Sequence, residues 1–154
     1  MFFKLKIGLL LLFFISCNSL KTSNQIGEAS NGNLTITTNT DVLKKEWNNL
    51  LKDLKFESEL NSFKIIKDFD TNENSKVYYL LVSTSDDKKL KVGSELLKKG
   101  NKFYFPNPKE QSIFICHGTT DCFPKKFKKD DWGCDCSIDS LLDCKKTVSI
   151  IIKE

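Results

Sequence analysis

The sequence predicts an α+β domain in which one N-terminal amphipathic helix is followed by an antiparallel sheet and a disulfide-stapled, loop-rich C-terminal lobe. Three observations lead to this prediction. One segment after residue 40 repeats its apolar residues with helical spacing, and several later segments are rich in β-branched and aromatic residues. Five of the six cysteines lie within residues 116–144.

The N-terminus has the layout of a secretory signal. Residues 1–16 begin with a short basic stretch, continue into an apolar run at 7–15 and end at Ser16, directly before Cys17. This run is too short for a membrane-spanning helix, which needs about 20 residues. The pattern resembles the lipobox of bacterial lipoproteins, except that Phe14 stands where Leu is usual.

This resemblance implies that Cys17 is lipidated, becomes the first residue of the exported protein and anchors it to a membrane. The expected location is therefore the cell envelope. In bacteria with two membranes, lipoproteins commonly go to the outer membrane when no Asp follows the lipidated cysteine. Asn18 follows here, which implies that destination.

Composition limits the organisation and the partners of the exported chain. Residues 17–32 begin with the cysteine that the resemblance implies to be lipidated. They are rich in Asn, Ser, Thr and Gly, which predicts a flexible tether, and residues 33–154 are enough for one domain. All 24 basic residues are lysines, so loss of Lys4 and Lys6 leaves 22 against 20 acidic residues, a charge near +2. Because the chain lacks Arg, the residue best suited to phosphates and base edges, no nucleic-acid partner is expected.

The helix is predicted to begin at Thr40 or Asp41, either of which can cap it. An apolar stripe with the spacing i, i+4, i+7, i+8 and i+11 follows, formed by Leu43, Trp47, Leu50, Leu51 and Leu54. Lysines and asparagines occupy the other side of this helix. A tryptophan on such a stripe is typical of a core residue rather than of a ligand platform.

Strands are predicted where β-branched and aromatic residues cluster or alternate with polar ones, at 34–37, 63–67, 77–82, 102–105, 112–115 and 148–152. Asp86 and Asp87 predict a turn between strands. Gly100 and Asn101 predict a hairpin. The alternative at this point is a helix over residues 94–99 that Gly100 ends.

The loop after the second of these strands begins like a calcium-binding EF-hand, because Asp68, Asp70 and Asn72 offer oxygen ligands at alternate positions. The pattern then fails. Glu73 stands where the EF-hand loop needs Gly, and Tyr79 stands where it needs Glu. A polar loop between two strands is therefore expected.

The cysteine-rich segment predicts structural disulfides, since thiols outside the cytoplasm tend to be oxidised. Two bridges and one unpaired thiol can be drawn in many ways among Cys116, Cys122, Cys134, Cys136 and Cys144, and the pairing stays open. Cys134 and Cys136 are separated by a single residue and are expected to reach different partners rather than each other. Trp132 is expected to pack against a bridge.

Two alternatives remain for the same segment. A zinc site has sulfur and nitrogen ligands available from Cys116, His117, Cys122, Cys134, Cys136 and Cys144, although no C-x-x-C knuckle is present. Thiol–disulfide chemistry is the other alternative, because Trp132 and Gly133 precede Cys134 and Cys136 much as in a thioredoxin site. The spacing is one residue short of C-x-x-C.

The segment contains Cys-His-Gly at 116–118, Cys-Phe-Pro-Lys at 122–125, Trp132, Cys134 and Cys-Lys-Lys at 144–146. Together with the lipobox and the polar tether, this pattern resembles small uncharacterised lipoproteins of Bacteroidota. Their pattern often begins with C-x-x-C, which implies a cysteine at the position of Thr119. Loss of that cysteine would explain the odd count and leave one thiol unpaired. The family has no assigned activity, so the resemblance implies location and architecture only.

No motif in the chain has the strength of a catalytic signature. Residues 125–129 form a basic patch suited to anionic headgroups or glycans, but Asp130 and Asp131 follow it directly and favour a solvated loop. With one histidine, no Ser-His-Asp arrangement is indicated. We expect a non-enzymatic, lipid-anchored binding or interaction module with a protein or glycan partner and no cofactor. The alternative is a thiol-redox or zinc-binding envelope protein that uses the C-terminal cysteines.

Overall fold

The structure, a computed structural model, describes residues 24–69, 76–128, 131–137, 139 and 143–153. The elements of these residues are β1 (Gln25–Ser30), β2 (Asn33–Ile36), α1 (Thr40–Asp53), β3 (Leu60–Phe69), β4 (Val77–Ser85), β5 (Leu90–Lys99), β6 (Lys102–Tyr104), β7 (Glu110–His117), β8 (Phe123–Lys128), β9 (Asp131–Asp135) and β10 (Lys145–Ile152). The predicted signal at 1–16 and the predicted lipidation site Cys17 lie outside the described residues.

Antiparallel sheet dominates the part of the chain that the structure describes, of which 58% is strand, with a single short helix. The predicted α+β class is therefore wrong, and the protein is a mostly β structure with a nearly closed, barrel-like sheet. The predicted loop-rich lobe at 116–144 is also corrected, because β8 and β9 pair in a hairpin within it. Both errors have one cause. A segment of polar composition becomes a strand when its backbone N–H and C=O groups form hydrogen bonds with a neighbouring strand.

Strand β5 is the branch point of the sheet. Along one edge it pairs with β4. Along the other edge, residues 90–93 pair with β7 and residues 97–99 pair with β6. The path β3-β4-β5-β6-β1-β2 then brings β2 beside β3, and this contact nearly closes the barrel. Strand β10 extends the other branch by pairing with β7 over its whole length.

Alternate side chains of the strands point into the barrel and form the main core. Its fully buried members include Leu60, Leu81, Val92, Phe103, Ile113 and Ile115. Helix α1 packs on this core through Leu43, Trp47 and Leu51, as its apolar stripe predicts. The Trp47 ring meets the Phe63 ring edge-on at a centroid distance of 5.2 Å.

The N-cap of helix α1 is Asn39, rather than the predicted Thr40 or Asp41. The Asn39 side-chain oxygen accepts a hydrogen bond from the backbone N–H of Asp41 at 2.8 Å. Farther along the helix, the buried Asn48 accepts a hydrogen bond from the backbone N–H of Leu60 at 2.8 Å. This contact fixes the helix against the start of β3.

A second, smaller core lies on the outer face of the sheet, beneath the β8–β9 hairpin. Its members are Tyr78, Leu80, Val82, Phe114 and Trp132. The Trp132 ring stacks on the Phe114 ring with centroids 4.4 Å apart. Gly93 of β5 allows the hairpin to approach, since a Cβ atom at this position would lie 3.0 Å from the Cβ of Pro124.

Strand β1 lies within residues 17–32, for which composition predicts a tether. The Ile26 side chain is buried in the main core, and the β1 backbone pairs with both β2 and β6. The tether prediction is therefore wrong from Gln25 onward, and the folded part begins before residue 33. Residues 17–23 lie outside the described residues.

The six predicted strands are confirmed as β2, β3, β4, β6, β7 and β10. The hairpin at Gly100 and Asn101 is confirmed, and the alternative helix over 94–99 is wrong, because β5 occupies those residues. The turn at Asp86 and Asp87 is also confirmed. The EF-hand-like stretch falls mainly on residues 70–75, which lie outside the described residues.

Replacement of Trp47 by Ala is expected to lower the free energy of unfolding by about 3–5 kcal/mol, because it leaves a large cavity between α1 and the barrel. Urea unfolding followed by circular dichroism measures this change. Val42, on the same helix but 62% exposed, provides the control, and Val42→Ala is expected to change the stability by less than about 0.5 kcal/mol. Equal effects of the two substitutions would contradict the packing of α1.

Candidate functional site

Cys116 and Cys134 form a disulfide that joins the end of β7 to β9. Cys116 is buried, whereas Cys134 is half-buried. The bond fixes the β8–β9 hairpin to the sheet at the edge of the outer core. The predicted structural disulfide is therefore confirmed for this pair. Trp132 packs against Phe114 and Tyr78 in the hairpin's core.

The other three cysteines of the segment converge. The sulfur atoms of Cys122, Cys136 and Cys144 lie within 4.8 Å of one another. We call them the three-cysteine cluster. Cys122 is buried at its centre, and Cys136 and Cys144 are half-buried. Cys134 is bonded to Cys116 and Cys136 lies in the three-cysteine cluster, so the two have different partners, as expected, and do not form a thioredoxin-like pair.

Thr119 adds an oxygen atom to the three-cysteine cluster. Its Oγ1 lies 2.8 Å from the sulfur of Cys122, within hydrogen-bonding distance. A cysteine at this position, which the lipoprotein resemblance implies for related chains, would bring a fourth sulfur to the cluster. The fold thus has a position for a sixth cysteine in the C-terminal segment, and a hydroxyl group occupies it.

Contacts to its backbone hold the loop that carries Thr119 and Cys122 in place. The ammonium group of Lys91, a buried residue of β5, donates hydrogen bonds to the carbonyl oxygens of Thr120 and Lys88. Burial lowers the pKa of Lys91. Gly118 has φ +122°, and a Cβ atom there would overlap the backbone of Asp143. The loop therefore lies directly against the chain that leads into Cys144.

An open cavity of about 320 Å³ lies beside the exposed side of the three-cysteine cluster. Cys136 and Cys144 line it together with Trp132, Gly133 and Lys146. The Lys146 ammonium donates a hydrogen bond to the carbonyl oxygen of Trp132, which holds this positive charge at the cavity wall. Two sulfurs of the cluster are thus accessible to a small molecule, whereas Cys122 lies behind them.

His117, a predicted metal-ligand candidate, packs away from the cluster. Its ring meets the Phe56 ring edge-on at 4.9 Å. Burial, and secondarily the charge of Lys145, lower the pKa of His117 below its usual value of 6.5. Among the described residues, Cys122, Cys136 and Cys144 form the group whose ligand atoms lie close enough to hold a metal ion, and the zinc set that includes Cys116, His117 and Cys134 does not assemble.

A second candidate site is a groove of about 460 Å³ between the N-terminal half of α1, β1 and the end of β10. We call it the α1 groove, and its lining is formed by Asn24, Ile26, Thr38, Asn39, Val42, Leu43, Glu46, Phe105, Pro108, Lys109 and Lys153. Its floor is apolar, because Ile26, Leu43 and Phe105 are buried core residues. Composition and spacing gave no sign of this site, since its walls come from segments far apart in the chain.

The rim of the α1 groove carries an excess of positive charge. The Lys153 ammonium lies 3.1 Å from a carboxylate oxygen of Glu46 and 5.5 Å from the centroid of the Phe105 ring. Lys109 adds a second ammonium group. Two lysines and one glutamate leave one net positive charge above an apolar floor.

The predicted basic patch at 125–129 is largely neutralised where the structure describes it. Lys125 pairs with Asp135 at 2.9 Å, and Lys126 pairs with Glu95 at 2.7 Å. The hydrogen bond from Lys125 to Asp135 raises the pKa of this lysine. These pairs fix the β8–β9 hairpin in place and neutralise the charges of Lys125 and Lys126.

In the described parts of the chain, no helix has the length and apolar character that a membrane crossing requires. Comparison with known proteins gives no relative: no protein-family model, no curated protein and no solved structure matches the chain.

Replacement of Thr119 by Cys is expected to add one disulfide, because the new sulfur would lie beside Cys122. Alkylation of the unreduced, denatured protein, followed by intact mass measurement, should then find no free thiol where the parent chain has one. The free energy of unfolding is expected to rise by about 2 kcal/mol. Thr119→Ser, with no new thiol, is the matched control. Two free thiols in Thr119→Cys would contradict the proximity of Thr119 and Cys122.

The lowered pKa of His117 predicts a pH dependence of stability. The unfolded chain takes up a proton near the usual pKa of 6.5, whereas the folded chain resists protonation until a lower pH. Protons therefore bind preferentially to the unfolded state, and the free energy of unfolding should fall as the pH drops below about 6.5. Urea midpoints between about pH 7.5 and about pH 5 measure this fall. His117→Gln should show a shallower fall, and an unchanged slope would contradict the assignment.

Proposed function

We propose that this chain is a lipid-anchored protein of the cell envelope that acts as a non-enzymatic binding module. We further propose that the α1 groove binds an anionic amphiphile, a molecule with an apolar chain and a negatively charged head. The N-terminal pattern ending at Cys17 supports the lipid anchor and the envelope location, with the outer membrane as destination in a bacterium that has two membranes. The observation that carries the binding hypothesis is the α1 groove.

The size and lining of the groove fit a small ligand. Its volume of about 460 Å³ lies within the range of about 300–1,000 Å³ that is usual for ligand sites. Ile26, Leu43 and Phe105 form the apolar floor of the groove, which an alkyl chain can contact. Each methylene group removed from water on this floor contributes about 0.8 kcal/mol to binding.

The charges at the rim select the head group. Lys109 is exposed, and Lys153 is shared between Glu46 and the face of Phe105. A carboxylate or phosphate at the rim gains the attraction of both ammonium groups, while a neutral head gains neither. Glu46 opposes the same anion, so its carboxylate weakens binding.

The position of the groove relative to the proposed anchor favours a ligand from the membrane. Asn24 lines the groove and follows Cys17 by seven residues. At about 3.3–3.6 Å per residue, the chain from Cys17 to Asn24 spans at most about 25 Å. An anchored protein therefore keeps the groove within a short distance of the bilayer surface, where anionic amphiphiles are concentrated.

The test uses residues 17–154 with Cys17→Ser, exported behind a cleavable non-lipoprotein signal so that the disulfides form and no lipid is attached. A fluorescent dansylated fatty acid is bound and then displaced with oleate, lysophosphatidylglycerol or oleyl alcohol. Both anions are expected to displace the probe at least about tenfold better than the alcohol, a difference of about 1.4 kcal/mol. The two anions distinguish a carboxylate ligand from a phospholipid.

Two substitutions at the rim should act in opposite directions. Lys109→Glu is expected to weaken oleate binding by about tenfold, whereas Glu46→Gln is expected to strengthen it, because it removes the opposing carboxylate and frees Lys153. Lys45→Glu, on the exposed face of α1, is the matched control for charge and should leave the affinity unchanged. Equal displacement by oleate and oleyl alcohol, or equal effects of Lys109→Glu and Lys45→Glu, would overturn the proposal.

A further inference from the structure

We propose that Cys122, Cys136 and Cys144 form a thiol–disulfide exchange site, in which one disulfide and one thiol interchange among the three cysteines and the thiol also reacts with small disulfides in the adjacent cavity. This inference does not depend on the proposed function of the α1 groove, which involves other residues. It also differs from the thioredoxin-like pairing of Cys134 with Cys136, because Cys134 is bonded to Cys116.

The proposal starts from the number of sulfurs. The three sulfur atoms of the cluster lie within 4.8 Å of one another, close enough for any two of them to pair. A sulfur atom takes part in only one disulfide at a time. Three cysteines in mutual reach therefore hold one bridge and one thiol, and the chain can realise any of three pairings without a large movement.

The exchange step is balanced within the cluster. When Cys122 and Cys136 are bonded, the thiolate of Cys144 attacks the sulfur of Cys122. A Cys122–Cys144 bond forms, the Cys122–Cys136 bond breaks, and Cys136 leaves as a thiolate that takes up the proton lost by Cys144. One disulfide and one thiol are present before and after, so no external oxidant or reductant is needed.

The surroundings of the three sulfurs give them different roles. Cys122 is buried, while Cys136 and Cys144 are half-buried and line the cavity of about 320 Å³. The thiol that meets solvent is therefore that of Cys136 or Cys144. The Thr119 hydroxyl, 2.8 Å from the Cys122 sulfur, is placed to donate a hydrogen bond when negative charge develops on that sulfur.

The cavity gives this thiol a reaction partner. A small disulfide R–S–S–R that enters it is attacked by the exposed thiolate, which forms a protein–S–S–R bond and releases R–S⁻. The cavity wall carries the Lys146 ammonium and the Asp131 carboxylate, so it suits a partner that has both carboxylate and ammonium groups. Glutathione disulfide has this chemistry and is a suitable probe.

The first experiment maps the pairing in the exported chain with Cys17→Ser. The native protein is quenched in acid, denatured, alkylated and digested without reduction, and the peptides are identified by mass spectrometry. We expect an intact Cys116–Cys134 bridge and one alkyl group per chain, divided among the cysteines of the cluster. Location of the whole label on one cysteine would overturn the proposal, since it would mean a fixed bridge and an inert thiol.

The second experiment measures the reaction with glutathione disulfide by intact mass. The parent chain should gain one glutathione. Cys136→Ser and Cys144→Ser should gain none, because the two remaining cysteines pair with each other, and circular dichroism should show that both variants keep the fold. Equal glutathione incorporation by the parent chain and both variants would overturn the proposal.

A third measurement tests the hydroxyl of Thr119. Thr119→Val should lower the share of the alkyl label that is found on Cys122, because the hydroxyl no longer stabilises a thiolate there, whereas Thr119→Ser, which keeps the hydroxyl, should leave that share unchanged. Identical shares in all three proteins would remove Thr119 from the site. Metal analysis of the protein purified from the periplasm provides the final check. One zinc ion per chain together with three alkylated cysteines before reduction would overturn the exchange proposal in favour of a thiolate metal site.

Discussion

Strand β5 divides one of its edges between two neighbours, and this division shapes the molecule. Its first residues pair with β7 and its last residues pair with β6, so the sheet splits into a barrel branch and an outer branch. The barrel branch encloses the main core and receives α1. The outer branch presents Phe114 and its neighbours to the opposite face. Because the residues of a strand alternate between faces, β4 and β7 contribute to both cores at once.

The outer face would expose aromatic side chains to water without the β8–β9 hairpin. The hairpin approaches β5 where Gly93 lacks a side chain, and Pro124 occupies the space. Lys126 fixes the hairpin from the same side: its ammonium group pairs with Glu95, and its backbone N–H donates a hydrogen bond to the Tyr78 hydroxyl oxygen at 3.1 Å. Burial and the nearby Asp68 carboxylate raise the pKa of Tyr78, which keeps this hydroxyl protonated. The cysteine chemistry depends on this arrangement, because the hairpin brings Cys134 and Cys136 to the sheet.

The two candidate sites belong to different parts of this architecture. The α1 groove lies where the helix meets the ends of β1 and β10, and its ligand selectivity depends on the balance of Glu46 against Lys109 and Lys153. The three-cysteine cluster lies where the hairpin returns to β10. A failure of amphiphile binding would leave the exchange chemistry intact, and the reverse also holds, since the two sites share no lining residue.

The sequence by itself determined the elements whose side chains carry a strong periodic signal. The stripe around Trp47 predicted α1, and the β-branched and aromatic runs predicted six strands. Only the tertiary structure decided that β1 is a strand, that β5 divides its edge, and that Thr119 meets Cys122. The physical reason is that backbone hydrogen bonds and sulfur contacts between distant segments leave no periodic pattern in the chain. Side-chain burial on one face does leave such a pattern, because it repeats with the geometry of the helix or strand.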